Sequence, residues 1–115
     1  MNEKDMNELL LNAFPSLRDE FDCYTSWQDG IGTGAFLTYE DVFRPKVEEA
    51  IKKQDVAYLN KVAEFIEKLL ETDDEYATNV VTVGILEGLK ANCDEEEVRS
   101  FLPSKASSIF EDLEL

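Results

Sequence analysis

The chain has 115 residues, which is the length of one domain with one core, and we expect residues 1–115 to form it. It carries 26 acidic and 11 basic residues, a formal net charge of −15 at pH 7, and 43% of its residues are hydrophobic. This charge argues strongly against binding nucleic acid through its phosphates, and it disfavours anionic membranes. A basic protein partner is favoured, because the field of the protein would speed their encounter.

The residue composition also limits the catalytic and metal-binding functions that the protein could have. The sequence contains no histidine, which removes the commonest general base and the commonest metal ligand. Cys23 and Cys93 lie outside any metal-spaced cluster, so we expect reduced thiols in or near the core, with a disulfide between them as the alternative. No catalytic residue, metal or cofactor is predicted, and we expect a protein without enzymatic activity. A polar run after Met1 and the lack of an apolar stretch near 20 residues predict a cytoplasmic protein.

The N-terminal segment predicts two helices separated by Pro15. Apolar residues recur in both at the three- and four-residue spacing of one helix face. In the first helix they are Met6, Leu9, Leu10 and Ala13. In the second, for which Ser16 is the predicted N-cap, they are Leu17, Phe21 and Tyr24.

A glycine-rich connection follows at residues 28–37, with Gly30, Gly32 and Gly34 in alternate positions. The pattern is not a phosphate loop, because no strand precedes it, no lysine follows it and Asp29 would repel phosphate. We expect a mobile connection, which is a common place for functional residues. If a partner orders this connection, Tyr24, Trp27 and Tyr39 are the predicted aromatic anchors at its ends; core packing is the alternative, and we favour it for Tyr24.

The next segment predicts a helix with one irregularity. Thr38 with Asp41 three residues later is typical of a helix N-terminus. Pro45 then interrupts the pattern. Either a short turn precedes a helix that starts near Pro45, or one helix kinks there.

The centre of the chain predicts a helical hairpin at residues 55–93, with Asp55 as the cap of its first arm. The second arm is apolar around most of its circumference, so it should be covered on several sides. A β-branched run at residues 80–83 favours a buried strand, but the apolar stretch continues to Leu89 and its length favours a helix. Gly84 and Gly88 lie on one face of this arm and should let a neighbouring helix approach closely.

Two shorter helices complete the chain. Asp94 is a natural N-cap for the first, Pro103 stops it, and residues 104–113 show helical spacing again. The predicted fold is all-α: a single-domain bundle of about six antiparallel helices. Stacked helix pairs, as in HEAT-like arrays, and a compact bundle remain equally open.

The hairpin carries a resemblance to a known family. The motif FIEKLL at residues 65–70, then Asp73 and Asp74, then a VGxLE-type segment at residues 83–87, resembles a family of small bacterial helical domains. The similarity covers roughly residues 39–113. Similar small acidic proteins are encoded beside polymorphic or contact-dependent toxins and serve as their cognate immunity proteins. The resemblance implies partner binding and no catalytic residue, with Glu67 and Glu87 at its recurring acidic positions.

These observations predict an immunity protein that binds a cognate bacterial toxin, with a nuclease as the expected target. It would neutralise the toxin by covering a basic active cleft with carboxylates. The alternative is a non-catalytic helical adaptor for another basic protein. The predicted partner-binding residues, which cannot all lie on one face, are Trp27, Asp29, Tyr39, Glu40, Asp41, Glu64, Glu67, Glu71, Asp73, Asp74 and Glu75.

Overall fold

Helices account for nearly all of the regular structure in the computed structural model of the chain, which describes residues 1–114. No strand occurs within that range, so the predicted all-α class is confirmed. The helices are α1 (Glu3–Ala13), α2 (Arg18–Thr25), α3 (Ala35–Thr38), α4 (Arg44–Lys53), α5 (Val56–Glu71), α6 (Glu75–Val81), α7 (Glu87–Asn92), α8 (Glu95–Arg99) and α9 (Ser104–Asp112).

Short turns of other helical types join several of these helices. The 3₁₀ turn Pro15–Leu17 leads directly into α2, and a second 3₁₀ turn spans Gly30–Gly32. The π-helical turn Tyr39–Phe43 links α3 to α4, and the π-helical turn Thr82–Leu86 links α6 to α7. Residues 35–53 and residues 75–92 therefore each run as one continuous helix.

Carboxylate and amide caps start several helices. Asn2 forms a capping box with Asp5 at the start of α1. Asp55 and Asp94 accept backbone N–H groups at the starts of α5 and α8, as predicted. Ser16 makes no capping hydrogen bond, because a 3₁₀ turn that begins at Pro15 already leads into α2.

The helix at residues 35–53 departs from the sequence prediction at its start. It begins at Ala35, so Thr38 lies inside it and is not the N-cap. The Thr38 hydroxyl is buried and donates to Asn7 Oδ1 at 2.6 Å. Of the two alternatives for Pro45, one irregular helix is correct, and the π-helical turn immediately before Pro45 widens the backbone where its ring would meet the carbonyl of Asp41.

The helix at residues 75–92 is central, as its apolar circumference predicted. Val80, Ile85 and Leu89 are completely buried, and this helix contacts α5, α9 and the helix at residues 35–53. Val83 is an exception because it faces solvent with 42% of its surface exposed. The helix rather than the strand is correct for residues 80–83, because its length lets neighbours bury it from several directions.

Both glycines of this helix mark close contacts. A methyl group on Gly84 would lie 3.1 Å from Cβ of Tyr39, and one on Gly88 would overlap the guanidinium group of Arg44. The predicted close approach of a neighbouring helix is therefore confirmed at both positions. At Gly88 the neighbour is one long side chain rather than the backbone of the facing helix.

Helices that are not consecutive in sequence also touch. The helix at residues 35–53 packs on that at residues 75–92, and α5 packs on α9. Stacked helix pairs produce such contacts. The molecule measures 37 × 30 × 24 Å along its principal axes, and one cluster of buried apolar side chains reaches from α1 to α9.

A buried polar group holds the glycine-rich connection against α1. Asn7 is fully buried, and its Nδ2 donates to the carbonyl oxygens of Ile31 at 2.9 Å and Thr33 at 2.8 Å. The connection is thus tied to α1 by two hydrogen bonds, and it ends before residue 37, because α3 begins at Ala35.

Two further observations bear on the sequence predictions. No helix within residues 1–114 has both the length and the apolar character that crossing a membrane requires.

Cys23 is exposed and Cys93 is half-buried, so the expectation of a thiol in or near the core is wrong for Cys23.

Candidate interaction surface

Trp27 is the most exposed large apolar side chain in the described part of the chain, with 86% of its surface open to solvent. It lies in the turn after α2, and hydrogen bonds on either side fix that turn. The Ser26 hydroxyl donates to the Cys23 carbonyl at 3.0 Å, and Gln28 Nε2 donates to the Tyr24 carbonyl at 3.1 Å. The indole therefore projects from a held turn, which reduces the conformational entropy that a partner would have to remove.

Asp41 is tied to the same region through Tyr24. The Tyr24 hydroxyl donates to Oδ2 of Asp41, and this hydrogen bond, with some burial, raises the pKa of Tyr24 to about 12. Tyr24 precedes Trp27 by three residues, so the bond brings Asp41 to the end of α2. Leu37, one turn before Asp41 on its helix, is also exposed, at 46%.

We group Trp27 and Asp29, in the turn after α2, with Leu37 and Asp41, on the helix that the Tyr24–Asp41 hydrogen bond joins to α2, as the aromatic–acidic patch. All four are exposed. Leu37 was not among the predicted residues, although it falls outside the buried face of its helix. Glu40 lies next to the patch but is half-buried and pairs with Arg44 at 3.6 Å, so it is only partly available.

Tyr39 is not a surface anchor, and its prediction as a partner-binding residue is wrong. Its side chain is completely buried, and its hydroxyl donates to the Met6 carbonyl at 2.7 Å. Burial raises the pKa of Tyr39 above its ordinary value. The ring packs against Phe43 and Phe65, because the helix begins before Tyr39 and turns this position toward the core.

The hairpin presents a second group of carboxylates. Glu64, Glu67 and Glu71 are all exposed on the solvent face of α5. Asp73 and Glu75 continue this line beyond the helix end and are also exposed. These five residues form what we call the acidic hairpin face. Of the five, only Asp73 has a salt bridge within residues 1–114, to Lys105 at 3.6 Å.

Asp74 has a structural role, although the sequence prediction grouped it with the neighbouring acids as a partner contact. Its Oδ1 accepts the N–H of Ala77 at 2.9 Å and so caps α6. Its Oδ2 accepts from the amino-terminal ammonium group of Met1 at 2.8 Å. The hydrogen bond from the amino terminus and that from Ala77 lower the pKa of Asp74 below its ordinary value. Asp74 is thus already occupied and is not a free contact for a partner.

The structure therefore divides the predicted residues into two surfaces and removes two of them. The aromatic–acidic patch combines a large apolar side chain with carboxylates, which suits stacking on and pairing with an arginine or lysine side chain. The acidic hairpin face offers charge alone. Within residues 1–114 no three acidic or cysteine side chains are grouped as they would be to hold a metal ion.

The fold and these surfaces define a small all-helical domain with an acidic exterior and an exposed aromatic anchor. Residues 7–114 match the family described as Domain of unknown function (DUF7674), and the chain belongs to this family. Comparisons with curated proteins and with solved structures gave no match.

Proposed function

We propose that the protein is an immunity-type inhibitor that binds one cognate bacterial toxin of the nuclease class. In this proposal carboxylates of the inhibitor cover the basic cleft in which the toxin holds nucleic-acid phosphates. Such clefts carry arginine and lysine side chains, so an acidic protein competes for them directly. The resemblance of the hairpin motifs to toxin-associated immunity proteins supports the same assignment.

The observation that carries the proposal is the exposure of Trp27 beside carboxylates on a chain of net charge −15. Tryptophan is enriched among the few interface residues that dominate binding free energy, and leaving an indole in water is unfavourable. Its neighbours Asp29 and Asp41 are exposed as well. Trp27 would be the buried anchor of the complex, and the surrounding acids would set its orientation and speed its formation.

Co-expression with the product of the adjacent open reading frame tests the proposal. Cells that make that product should die without this protein and grow with it, and the purified pair should form a one-to-one complex. The Trp27→Ala variant should bind much more weakly and protect poorly. Because Trp27 is exposed and outside the core, this variant should fold as the native chain does, which circular dichroism can verify.

The alternative is a non-catalytic helical adaptor for another basic protein. The acidic hairpin face favours the adaptor, because a surface that offers only negative charge can bind many different basic partners. The same co-expression experiment separates the two functions. Binding to the neighbour's product without protection supports the adaptor, whereas protection that depends on Trp27 supports the inhibitor.

A further inference from the structure

An open groove with a mainly apolar lining lies between α1 and α5. Its volume is about 450 Å³, and its floor is formed by Leu9, Ala13, Phe65 and Leu69. This volume lies within the range of about 300–1,000 Å³ that is typical of small-molecule sites. Leu9 is 38% exposed there, although its neighbour Leu10 on the same helix is completely buried.

Two lysines flank the floor of this groove. Lys61 and Lys68 are seven residues apart on α5, a rise of about 10 Å, and Phe65 lies between them. Lys61 also places its Nζ 5.0 Å from the centre of the Phe14 ring. An apolar floor between two cations is complementary to a ligand that has an alkyl part and an anionic head.

Lys61 and Lys68 belong, with Lys52 and Lys90, to the minority of basic side chains that form no salt bridge within residues 1–114. Seven of the eleven basic side chains form a salt bridge with a carboxylate. Lys61 and Lys68 form none within residues 1–114, although acidic residues outnumber basic ones by 26 to 11. Two lysines without a salt bridge line one apolar groove in an acidic chain, and this combination points to an anionic ligand with an apolar part.

We propose that this groove binds a medium-chain carboxylate. The alkyl chain lies on Leu9, Phe65 and Leu69, and the carboxylate pairs with the ammonium group of Lys61 or Lys68. Glu64 also lines the groove and is exposed, so its negative charge opposes the bound head group. This site is separate from the aromatic–acidic patch, shares Glu64 with the acidic hairpin face, and does not depend on toxin binding.

Octanoate and 1-octanol are matched probes, because they share an alkyl length and differ in the charge of the head group. Titration followed by amide chemical shifts should place octanoate at residues 9–13 and 61–72. Lys61→Gln and Lys68→Gln should each weaken octanoate binding about three- to fivefold and leave 1-octanol binding unchanged. Glu64→Gln should tighten octanoate binding by about twofold.

Lys52→Gln is the control, because Lys52 is exposed, forms no salt bridge within residues 1–114 and lies outside the groove. It should leave octanoate binding unchanged. Leu9→Asp should abolish binding of both probes, and circular dichroism should verify that this variant is folded. The proposal is overturned if octanoate shifts no groove residue, if it binds elsewhere, or if the lysine variants weaken both probes equally.

Discussion

Arg44 lies against the backbone of Gly88, and this contact joins two long helices through a single side chain. Its Nε donates to Glu48 Oε1 at 3.0 Å, and that oxygen also accepts from Asn92 Nδ2 at 3.4 Å. A methyl group at position 88 would occupy the space of the guanidinium group. Glycine is therefore needed at position 88 to leave room for Arg44, and not because of the backbone conformation there.

Gly88→Ala should lower the free energy of unfolding by about 1–2 kcal/mol, because Arg44 must leave its position. In an Arg44→Ala background the same change should raise that free energy by about 1 kcal/mol, since alanine is the better helix former. Urea unfolding of the four proteins in this double-mutant cycle measures both effects. An effect of the same sign in both backgrounds would contradict this account.

Asn7→Ala should lower the free energy of unfolding by about 2–3 kcal/mol. It removes the partner of the Thr38 hydroxyl and of two carbonyl groups in the glycine-rich connection, all in a buried setting. Hydrogen exchange at residues 30–34 should become faster. Asn12→Ala on the exposed side of α1 is the control and should change stability by less than about 0.5 kcal/mol. Equal losses in the two variants would refute the anchoring role of Asn7.

If the proposed toxin complex forms, Trp27→Ala should weaken it by about 2–4 kcal/mol of binding free energy, as expected for a buried interface anchor. Its effect on the stability of the free protein should be small, because the indole is already in water. Val56→Ala removes another exposed apolar side chain, 64% exposed, at the start of α5 and serves as the control. Calorimetric titration that shows equal affinities for the two variants would remove Trp27 from the interface.

The side chain of Asp74, at the start of α6, makes stabilising contacts through both of its carboxylate oxygens. Asp74 caps the helix through one oxygen and binds the amino-terminal ammonium through the other. Both contacts favour the charged form, so its pKa is lower in the folded chain than in the unfolded one. The stability that this charge contributes is present above the unfolded pKa and is lost as pH falls through the folded pKa.

Asp74→Asn should therefore make stability less dependent on pH in the acidic range. Asparagine caps a helix as well as aspartate does, but it does not titrate. The stability difference between the native chain and the variant should shrink as pH falls from about 5 to below the ordinary aspartate pKa of about 3.9. Asp73→Asn is the control, because it removes one negative charge at the neighbouring position. Thermal unfolding from neutral to acid pH should reveal this convergence for position 74 only, and parallel curves there would contradict it.

The net charge of −15 acts at the scale of the whole molecule. The rate of association with a basic partner should fall by about tenfold or more between low and high salt, and the dissociation rate should change much less. Stopped-flow kinetics measures both rates. An association rate that salt does not change would show that the acidity does not steer binding.

Two triple variants that each remove three negative charges test which part of the surface speeds association with the partner. The first removes three charges from the acidic hairpin face: Glu64→Gln, Glu67→Gln and Glu71→Gln. The control removes three exposed charges from α8 and α9: Glu96→Gln, Glu97→Gln and Asp112→Asn. If the hairpin face meets the partner, the first variant should lower the association rate at low salt more than the control. Equal rates would mean that only total charge matters.

The sequence by itself determined the all-α class, the central hairpin, the caps at Asp55 and Asp94 and the close contacts at Gly84 and Gly88. These features follow from local causes: apolar residues three and four positions apart, side chains that reach the next turn, and the small size of glycine. The net charge is likewise fixed by composition. Each of these can be read without knowing which helices meet.

Only the tertiary structure decided which of the predicted surface residues are available. Tyr39 is buried because the helix starts four residues before it and turns this position toward the core. The neighbouring Thr38 is buried as well and donates its hydroxyl to Asn7 of α1, 31 residues away in sequence. Asp74 is occupied by the amino terminus, 73 residues away, whereas Trp27 is left in water. Burial and ion pairing depend on groups that are distant in sequence, and a local pattern does not contain them.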